Sequence, residues 1–461
     1  MQPPRSLWWS TLGDVASRPA LEGHRDVDVA IVGGGFTGLW TARELLRRDP
    51  SLHVAVLEAH VCGFGASGRN GGWASALYPQ GASSVVAAHG REAYDHLRHV
   101  LQRAVSDLGA AASADGIDAQ FVHGGTLYAA RTHAQVARLK AEVDESRELG
   151  VSEDDLAWLD EDAFAERLTL AGARGGTFSP HCARVNPARL VRGLSDVVER
   201  LGASIYENSP VTRITPATRH DGASVVTARG SLHARYVVRA TEGYTSALPR
   251  LRRRVVPLYS LMVATSPQPR EFWDHIGLAR YETFADARHV VIYGQRTDDD
   301  RLAFGGRGAP YHFGSTVEPR FDENPRVFDL LGATLRELFP ELSGEVTHRW
   351  GGPLAMPRDH SPYVEVDHRS GLAAAGGYTG DGVVLSHVCA TALADLIVDP
   401  DADTAHTRLP FVNHVNRRWE VEPLRWLGIN AGLALATLAD HRESTEGRVS
   451  RSSALVERLL H

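Results

Sequence analysis

The sequence predicts an α/β fold of two domains, one assembled from separated chain segments and a second threaded between them. Three observations carry this. The chain has 461 residues, beyond the roughly 250–300 at which a single hydrophobic core stops growing. Its head reads strand, glycine turn, helix, strand. After residue 255, short buried strands alternating with helices give way to longer strands joined by hairpins.

The elements follow in order. Residues 28–32 (DVAIV) are a β-branched apolar run ending in glycines, the pattern of a strand buried on both faces. In 38–47 the residues Leu39, Ala42, Leu45 and Leu46 share one helical face. Residues 52–57 (LHVAVL) form a second buried strand closed by Glu58, completing a βαβ unit. The stretch 90–148 reads as mainly helical, interrupted by a strand at 124–130 (GGTLYAA). An amphipathic helix at 186–201 carries Pro187 in its first turn. Strands are expected at 203–206, 211–214, 225–227 and 236–240. In VVIYGQRTDDDRLAFGG two strands flank an Asp-rich turn. A last short strand (372–375), a helix (386–397) and a helical tail beyond Pro410 end the chain.

Composition narrows the function classes. With 43% hydrophobic and 23% charged residues the chain is ordinary for a globular protein. A formal net charge of −7 argues against nucleic-acid or anionic-membrane partners. Three scattered cysteines (Cys62, Cys182, Cys389) make neither a disulfide scaffold nor a CxxC metal site, and point to a reducing cytoplasm. The N-terminal MQPPRSLWWSTLGD lacks the apolar core of a secretory signal, and no uncharged apolar run of about 18 residues suggests a membrane span. Trp8 and Trp9 are expected to pin this arm to the body. The histidines lack HExxH or paired spacing, so no metal is expected. There is no GxxxxGK[ST] phosphate loop.

The strongest motif is Gly33-Gly34-Gly35-Phe36-Thr37-Gly38, which fits G-x-G-x-x-G through Gly33, Gly35 and Gly38. The first glycine makes the tight turn, the second admits a pyrophosphate, and the third lets helix and strand pack closely. Free N–H groups of the helix start then face the phosphates. Glu58, about 20 residues on at the end of the next strand, is placed to hold ribose hydroxyls. The motif alone does not separate FAD from NAD. A second glycine-dense loop does more: Gly63-Phe64-Gly65-Ala66-Ser67-Gly68-Arg69-Asn70-Gly71-Gly72-Trp73 can lay amides along a pyrophosphate and a flat ring, with Arg69 offsetting phosphate charge. A third, Gly376-Gly377-Tyr378-Thr379-Gly380-Asp381-Gly382-Val383, lies between a strand and a helix near the other end. One large cofactor spanning both ends, FAD, explains these loops better than a nicotinamide does.

The segments DVAIVGGGFTGLWTA, GFGASGRNGGW, GGTLYAA, NPARLVRGL, ATEGYTSALP, RTDDDRLAFGG and GGYTGDGV resemble, in order, the glycine oxidase, sarcosine oxidase and D-amino acid oxidase superfamily. The branch most similar is that of the bacterial γ-glutamylputrescine oxidases. The resemblance covers most of residues 28–400. It implies a Rossmann-like FAD-binding domain built from separated segments, plus a substrate domain whose antiparallel sheet covers the flavin. The corresponding boundaries are an N-terminal arm (1–24), an FAD-binding domain (25–89, 185–250 and 350–405), a substrate domain (90–184 and 251–349) and a C-terminal helical tail (406–461). It also implies oxidation of a small-molecule amine by hydride transfer to flavin N5. Hydrolysis of the imine follows, and dioxygen or an electron carrier reoxidises the flavin.

By the same resemblance Gly33, Gly35, Phe36, Thr37, Gly38, Glu58 and Ala59 contact FAD. So do Gly65, Ala66, Ser67, Arg69, Asn70, Gly71 and Gly72 of the second loop. Val211, Thr241, Gly243 and the third loop (Gly377, Tyr378, Gly380, Asp381, Gly382, Val383) complete the set. Two positions depart from the pattern. Thr241-Glu242-Gly243-Tyr244 stands where Thr-Asn-Gly-Tyr is expected, placing a charge on the adenine side. Asp381 stands where a histidine or small residue is expected. Cys62 and Cys389 match no covalent attachment point, so noncovalent FAD is favoured.

Hydride transfer to a flavin asks the protein mainly to hold the donor carbon over the ring in a dry pocket. Tyr293, Trp73, Tyr259 and His360 are the candidates for that pocket, with Met356 beside them. Arg250, Arg252, Arg253 and Arg254 form a basic run that reads as a solvated or salt-bridged face, with steering of an anionic substrate as the alternative. The residues leave two other readings open. One is a dehydrogenase or tailoring oxidase of a specialised metabolite. The other is a nucleotide-binding regulator without turnover.

Overall fold

The computed structural model describes residues 5–306 and 308–446. Two eight-stranded sheets dominate it. The spatial order of the first is Tyr363–Asp367, Leu372–Gly376, Gly230–Arg239, Gly23–Val32, Val54–Leu57 and Ser204–Tyr206. All neighbours run parallel except the first pair. Its strands come from three distant stretches, as expected of a domain built from separated segments. Gly23–Val32 shows why its sequence is apolar throughout. Val29 and Ile31 face a cluster containing Leu39, Trp40, Val191, Val384 and Val388 of the covering helices. Ala30 and Val32 face the other way, against Val225 and Leu232 of the small antiparallel strands beside the sheet. Burial on both faces removes the period-2 alternation.

The second sheet runs Val346–Met356, Val256–Thr265, Leu302–Gly306, Ile292–Arg296, Thr283–Asp286, Thr126–Ala129, Gly176–Ser179 and Ala157–Leu159. It is antiparallel except where Thr283–Asp286 pairs with Thr126–Ala129. The Asp-rich hairpin appears as Ile292–Arg296 and Leu302–Gly306. Strands here are buried on one face by the helix Pro325–Leu338 and its neighbours, so side chains alternate strictly: Tyr259, Leu261 and Val263 enter that core, while Ser260 and Met262 point away.

Two expected boundaries move. Strand Val346–Met356 pairs with Val256–Thr265 along its length, so residues 350–356 belong to the second sheet. Helix Arg91–Ala114, expected in the substrate domain, buries Leu97, Leu101, Val105 and Leu108 in the cluster under the first sheet. Each element packs with a sheet other than the one expected, because hydrophobic pattern does not say which core an apolar face joins.

The N-terminal arm is tied down as expected. Helix Leu7–Ser10 buries Trp8 and Trp9, and Arg18 pairs with Glu207, whose fully buried carboxylate also takes the Arg192 guanidinium and the Cys62 N–H. Of the tail expected as helical beyond Pro410, Leu424–Glu446 is a helix while 411–423 is not, and 447–461 lies outside the described residues, as do residues 1–4 of the arm. No described helix is long and apolar enough to cross a membrane. Among the described residues, His289, Asp440 and Glu443 bring ligand-type atoms within 4.8 Å of one another. Those atoms have other work. Both Asp440 oxygens accept backbone N–H groups of His289 and Val290, and Glu443 pairs with Arg138, so the cluster clasps the C-terminal helix to the second sheet.

Candidate active site

A cavity of about 370 Å³ lies between the two sheets. Its first wall is the turn after Gly23–Val32. Gly33 has φ +115°, and a Cβ there would lie 2.3 Å from the Ala240 carbonyl. Gly35 faces Ser67, whose Oγ accepts the Phe36 N–H at 2.9 Å and so occupies the start of helix Phe36–Arg48. Glu58 closes the turn from the next strand: its carboxylate accepts the N–H groups of Gly34 (2.8 Å) and His60 (2.9 Å), and burial pushes its pKa up. Ala59, Val211, Thr241 and Gly243 line the same cavity.

The second glycine loop is held from several sides. Asn70 Nδ2 donates to Ala66 O and Ser67 O, and its Oδ1 accepts the Gly72 N–H at 2.7 Å. Trp8 Nε1 donates to Asn70 O at 2.8 Å, Trp350 Nε1 to Arg69 O at 2.9 Å, and Gln295 Nε2 to Gly71 O. The N-terminal arm therefore helps to shape the cavity. Gly65, Ala66, Ser67, Arg69, Asn70 and Gly71 line it. Arg69 is also tied to other parts of the chain. Its buried guanidinium donates to Asp322 Oδ2 (2.6 Å), Gly351 O (2.9 Å) and Tyr244 Oη (3.0 Å), so its charge is paired with Asp322 of the second domain.

The third loop leaves strand Leu372–Gly376 and enters helix Gly382–Val398, with Tyr378, Gly380, Asp381, Gly382 and Val383 on the cavity. Tyr378 Oη meets Thr37 Oγ1 at 2.8 Å, joining the third loop to the first turn. Glu242 lines the cavity too. Its carboxylate accepts the N–H groups of Gly377 (2.9 Å), Ala355 (3.3 Å) and Tyr378 (3.4 Å). Burial pushes its pKa up to about 7.

The opposite wall belongs to the second sheet. Tyr128, Ala285 and Tyr293 stand in register on neighbouring strands and all face the cavity. Trp73 meets Tyr293 and Tyr128 edge-on, with ring centroids 6.0 and 6.4 Å apart. Ser260 Oγ lies 2.7 Å from Tyr293 Oη.

Tyr293 and Trp73 are thus brought together, whereas the other two pocket candidates are not. Tyr259 points to the opposite face of its strand, where it meets His312 and Phe321 edge-on, because alternation sends its neighbour Ser260 inward. His360 sits at φ +58° in the turn before strand Tyr363–Asp367 and does not line the cavity. Met356 packs with Val256, Tyr311 and Trp419 instead. Three glycines expected at the cofactor also stand outside the lining, each at a close packing contact. A Cβ on Gly38 would lie 2.0 Å from Gly33 O, on Gly72 2.2 Å from Gln295 Nε2, and on Gly377 2.5 Å from Pro357.

Sequence reasoning missed Tyr128, Ser260, Ala285, His60 and Tyr244, all of which line the cavity. The alternation in TLYA and VPLYSLMVAT carried that signal only once the sheet's buried face was known.

The residues fit FAD. Glycine backbone lies where added Cβ atoms would collide, a carboxylate closes the strand after the turn, and two further loops line one elongated cavity. Trp73 Nε1 is buried with no hydrogen-bond partner among the described residues, a donor waiting on a ligand acceptor. Comparison with known proteins agrees. The sequence profile of the FAD dependent oxidoreductase family matches residues 28–396. A probable oxidoreductase OrdL of Rhizobium meliloti is 28% identical over 403 residues, covering 86% of this chain and 89% of that one. Gamma-glutamylputrescine oxidoreductase of Escherichia coli is 28% identical over 388 residues, covering 83% and 86%. Among solved structures, glycine oxidase from Geobacillus kaustophilus superposes with a TM-score of 0.69 at 23% identity, covering 85% of this chain and 99% of its own, which shows the shared fold.

Proposed function

The chain belongs to the FAD dependent oxidoreductase family, and on that premise we propose that it oxidises the carbon–nitrogen bond of an amine or amino acid. One observation carries the reading: the wall formed by Trp73, Tyr128 and Tyr293 faces the same cavity as all three glycine loops. When bound, FAD would supply the two-electron oxidant for the carbon–nitrogen bond as a hydride acceptor, with dioxygen as its reoxidant to hydrogen peroxide.

The chain's own residues do the rest. The glycine turn at 33–38 would hold the pyrophosphate, Glu58 the ribose, and the loops 63–73 and 376–383 the flavin end. Tyr293 and Trp73 exclude water and orient the donor carbon, with Ser260 fixing the phenol. The substrate leaves as an imine that water hydrolyses. Relatives acting on gamma-glutamylputrescine and glycine support an amine or amino-acid donor. Three buried free cysteines suit a reducing compartment such as the cytoplasm.

The test is a visible spectrum of the purified protein, followed by anaerobic titration with glycine, sarcosine, putrescine and gamma-glutamylputrescine. Flavin bands that bleach with one of these and return with air support an oxidase. Return only with an added electron acceptor makes it a dehydrogenase, and a protein that cannot be loaded with FAD overturns the proposal. Tyr293→Phe is expected to keep the flavin bands and lower kcat/KM roughly tenfold, through lost orientation of the substrate.

A further inference from the structure

We propose that Glu242 is a positioning residue for the cofactor, tying the loop 376–382 to the second sheet at the flavin end of the cavity. The inference rests on the FAD reading and goes beyond it by assigning this side chain a task.

The geometry is specific. Glu242 sits at φ +38°, at the start of the short 3-10 turn Glu242–Ala247 that follows strand Gly230–Arg239. A left-handed residue that is not glycine is strained and persists only where its surroundings hold it. What holds it is its own carboxylate. One oxygen accepts the Gly377 N–H, and the other accepts those of Ala355 and Tyr378. Ala355 lies in strand Val346–Met356 of the second sheet, and Gly377 and Tyr378 lie in the third glycine loop. A single side chain from the end of a first-sheet strand therefore gathers backbone from both domains, next to Tyr378, which itself reaches Thr37.

The site is a costly place for an anion. Arg239 is the cation acting on it, and its guanidinium is engaged by Thr245 and Tyr363. Tyr363, Tyr378 and Cys389 are the other titratable groups around it, and burial pushes Tyr378 and Cys389 up, away from neutral pH. Burying a carboxylate against a cofactor that carries phosphates of the same sign opposes binding unless the carboxylate is needed for shape. The three N–H bonds are that need. A neutral amide offers one acceptor oxygen and turns an NH₂ group toward N–H donors, so glutamine cannot reproduce them.

The experiment compares wild type, Glu242→Gln and Glu242→Asp as purified full-length protein stripped of flavin. FAD binding is followed by quenching of flavin fluorescence at pH 8, and the midpoint potential of the reloaded protein is measured. Glu242→Gln is expected to stay folded by far-UV circular dichroism, to bind FAD about tenfold more weakly through lost charge-assisted bonds, and to shift the flavin potential positive, since a buried negative charge opposes electron uptake. Glu242→Asp keeps the charge but loses reach, so its Kd rises while its potential stays near wild type. A folded Glu242→Gln with wild-type Kd and potential overturns this inference alone. Wild-type protein that binds no FAD overturns the functional reading and this inference together.

Discussion

At the scale of single residues, the cavity is made by groups whose environment opposes their ordinary state. Glu242 is the clearest. Its pKa rises from 4.5 to about 7 because burial penalises the anion. Between these values the folded protein holds a proton that the unfolded chain releases, so flavin-free protein loses stability as pH rises from about 4.5 to 7, with the loss complete above that. The full difference is at most about 3 kcal/mol. Urea denaturation of flavin-free wild type at pH 5 and pH 8 is expected to show a decline that Glu242→Gln lacks. An identical pH dependence in both proteins would place the titration elsewhere. The glycines were legible at this scale in a different sense. The spacing of Gly33, Gly35 and Gly38 identifies the turn, and the close packing expected at Gly38 is seen in the 2.0 Å at which a Cβ there would meet Gly33 O.

At the scale of elements, the C-terminal helix Leu424–Glu446 shows how a polar clasp can supplement an apolar seam. Leu424, Leu427 and Leu438 are exposed, and the helix's apolar contacts are small: Ala436 and Ala439 beside Val290, and Ile429 against Val256, Tyr311 and Trp419. Polar bonds add to its attachment: Asp440 accepts the N–H groups of His289 and Val290 just before strand Ile292–Arg296, Glu443 pairs with Arg138, and Asn430 bonds the Tyr311 backbone. Asp440→Ala leaves two backbone donors without their acceptor, a loss of about 1–3 kcal/mol. Limited proteolysis is expected to cut within 424–446 faster in that variant while the flavin bands persist. Unchanged cleavage would mean that the apolar contacts alone suffice. The helix was legible from its sequence, whereas its partner on the second sheet was not, because an Asp and a Glu at helical spacing look like any solvated face.

At the scale of the whole molecule, no strand is shared between the two sheets, and the cavity lies at their junction. A ligand spanning that junction binds the folded protein and not the unfolded chain, so it stabilises by mass action. FAD at 100 times its Kd is expected to add about 2.7 kcal/mol. Thermal unfolding of stripped protein, with and without added FAD, should therefore show a Tm that climbs with FAD concentration. A Tm indifferent to FAD would argue that the cavity does not hold it. The segments 91–114 and 350–356 each pack with a sheet other than the one expected, and no composition break marks which core they join.

What the sequence determined by itself is local and periodic. The βαβ unit, the fingerprint turn, the glycine loops and the hairpin of the second sheet all rest on patterns within a few residues, where backbone sterics and strand or helix periodicity act directly. Tertiary structure alone decided which way long-range partners face. It turned Tyr259 out of the pocket and Ser260 into it, spent Arg69 on Asp322, and brought Glu242 to Gly377 across 135 positions of chain. Those outcomes depend on sheet register and on charges paired between domains, and neither leaves a periodic trace in the sequence.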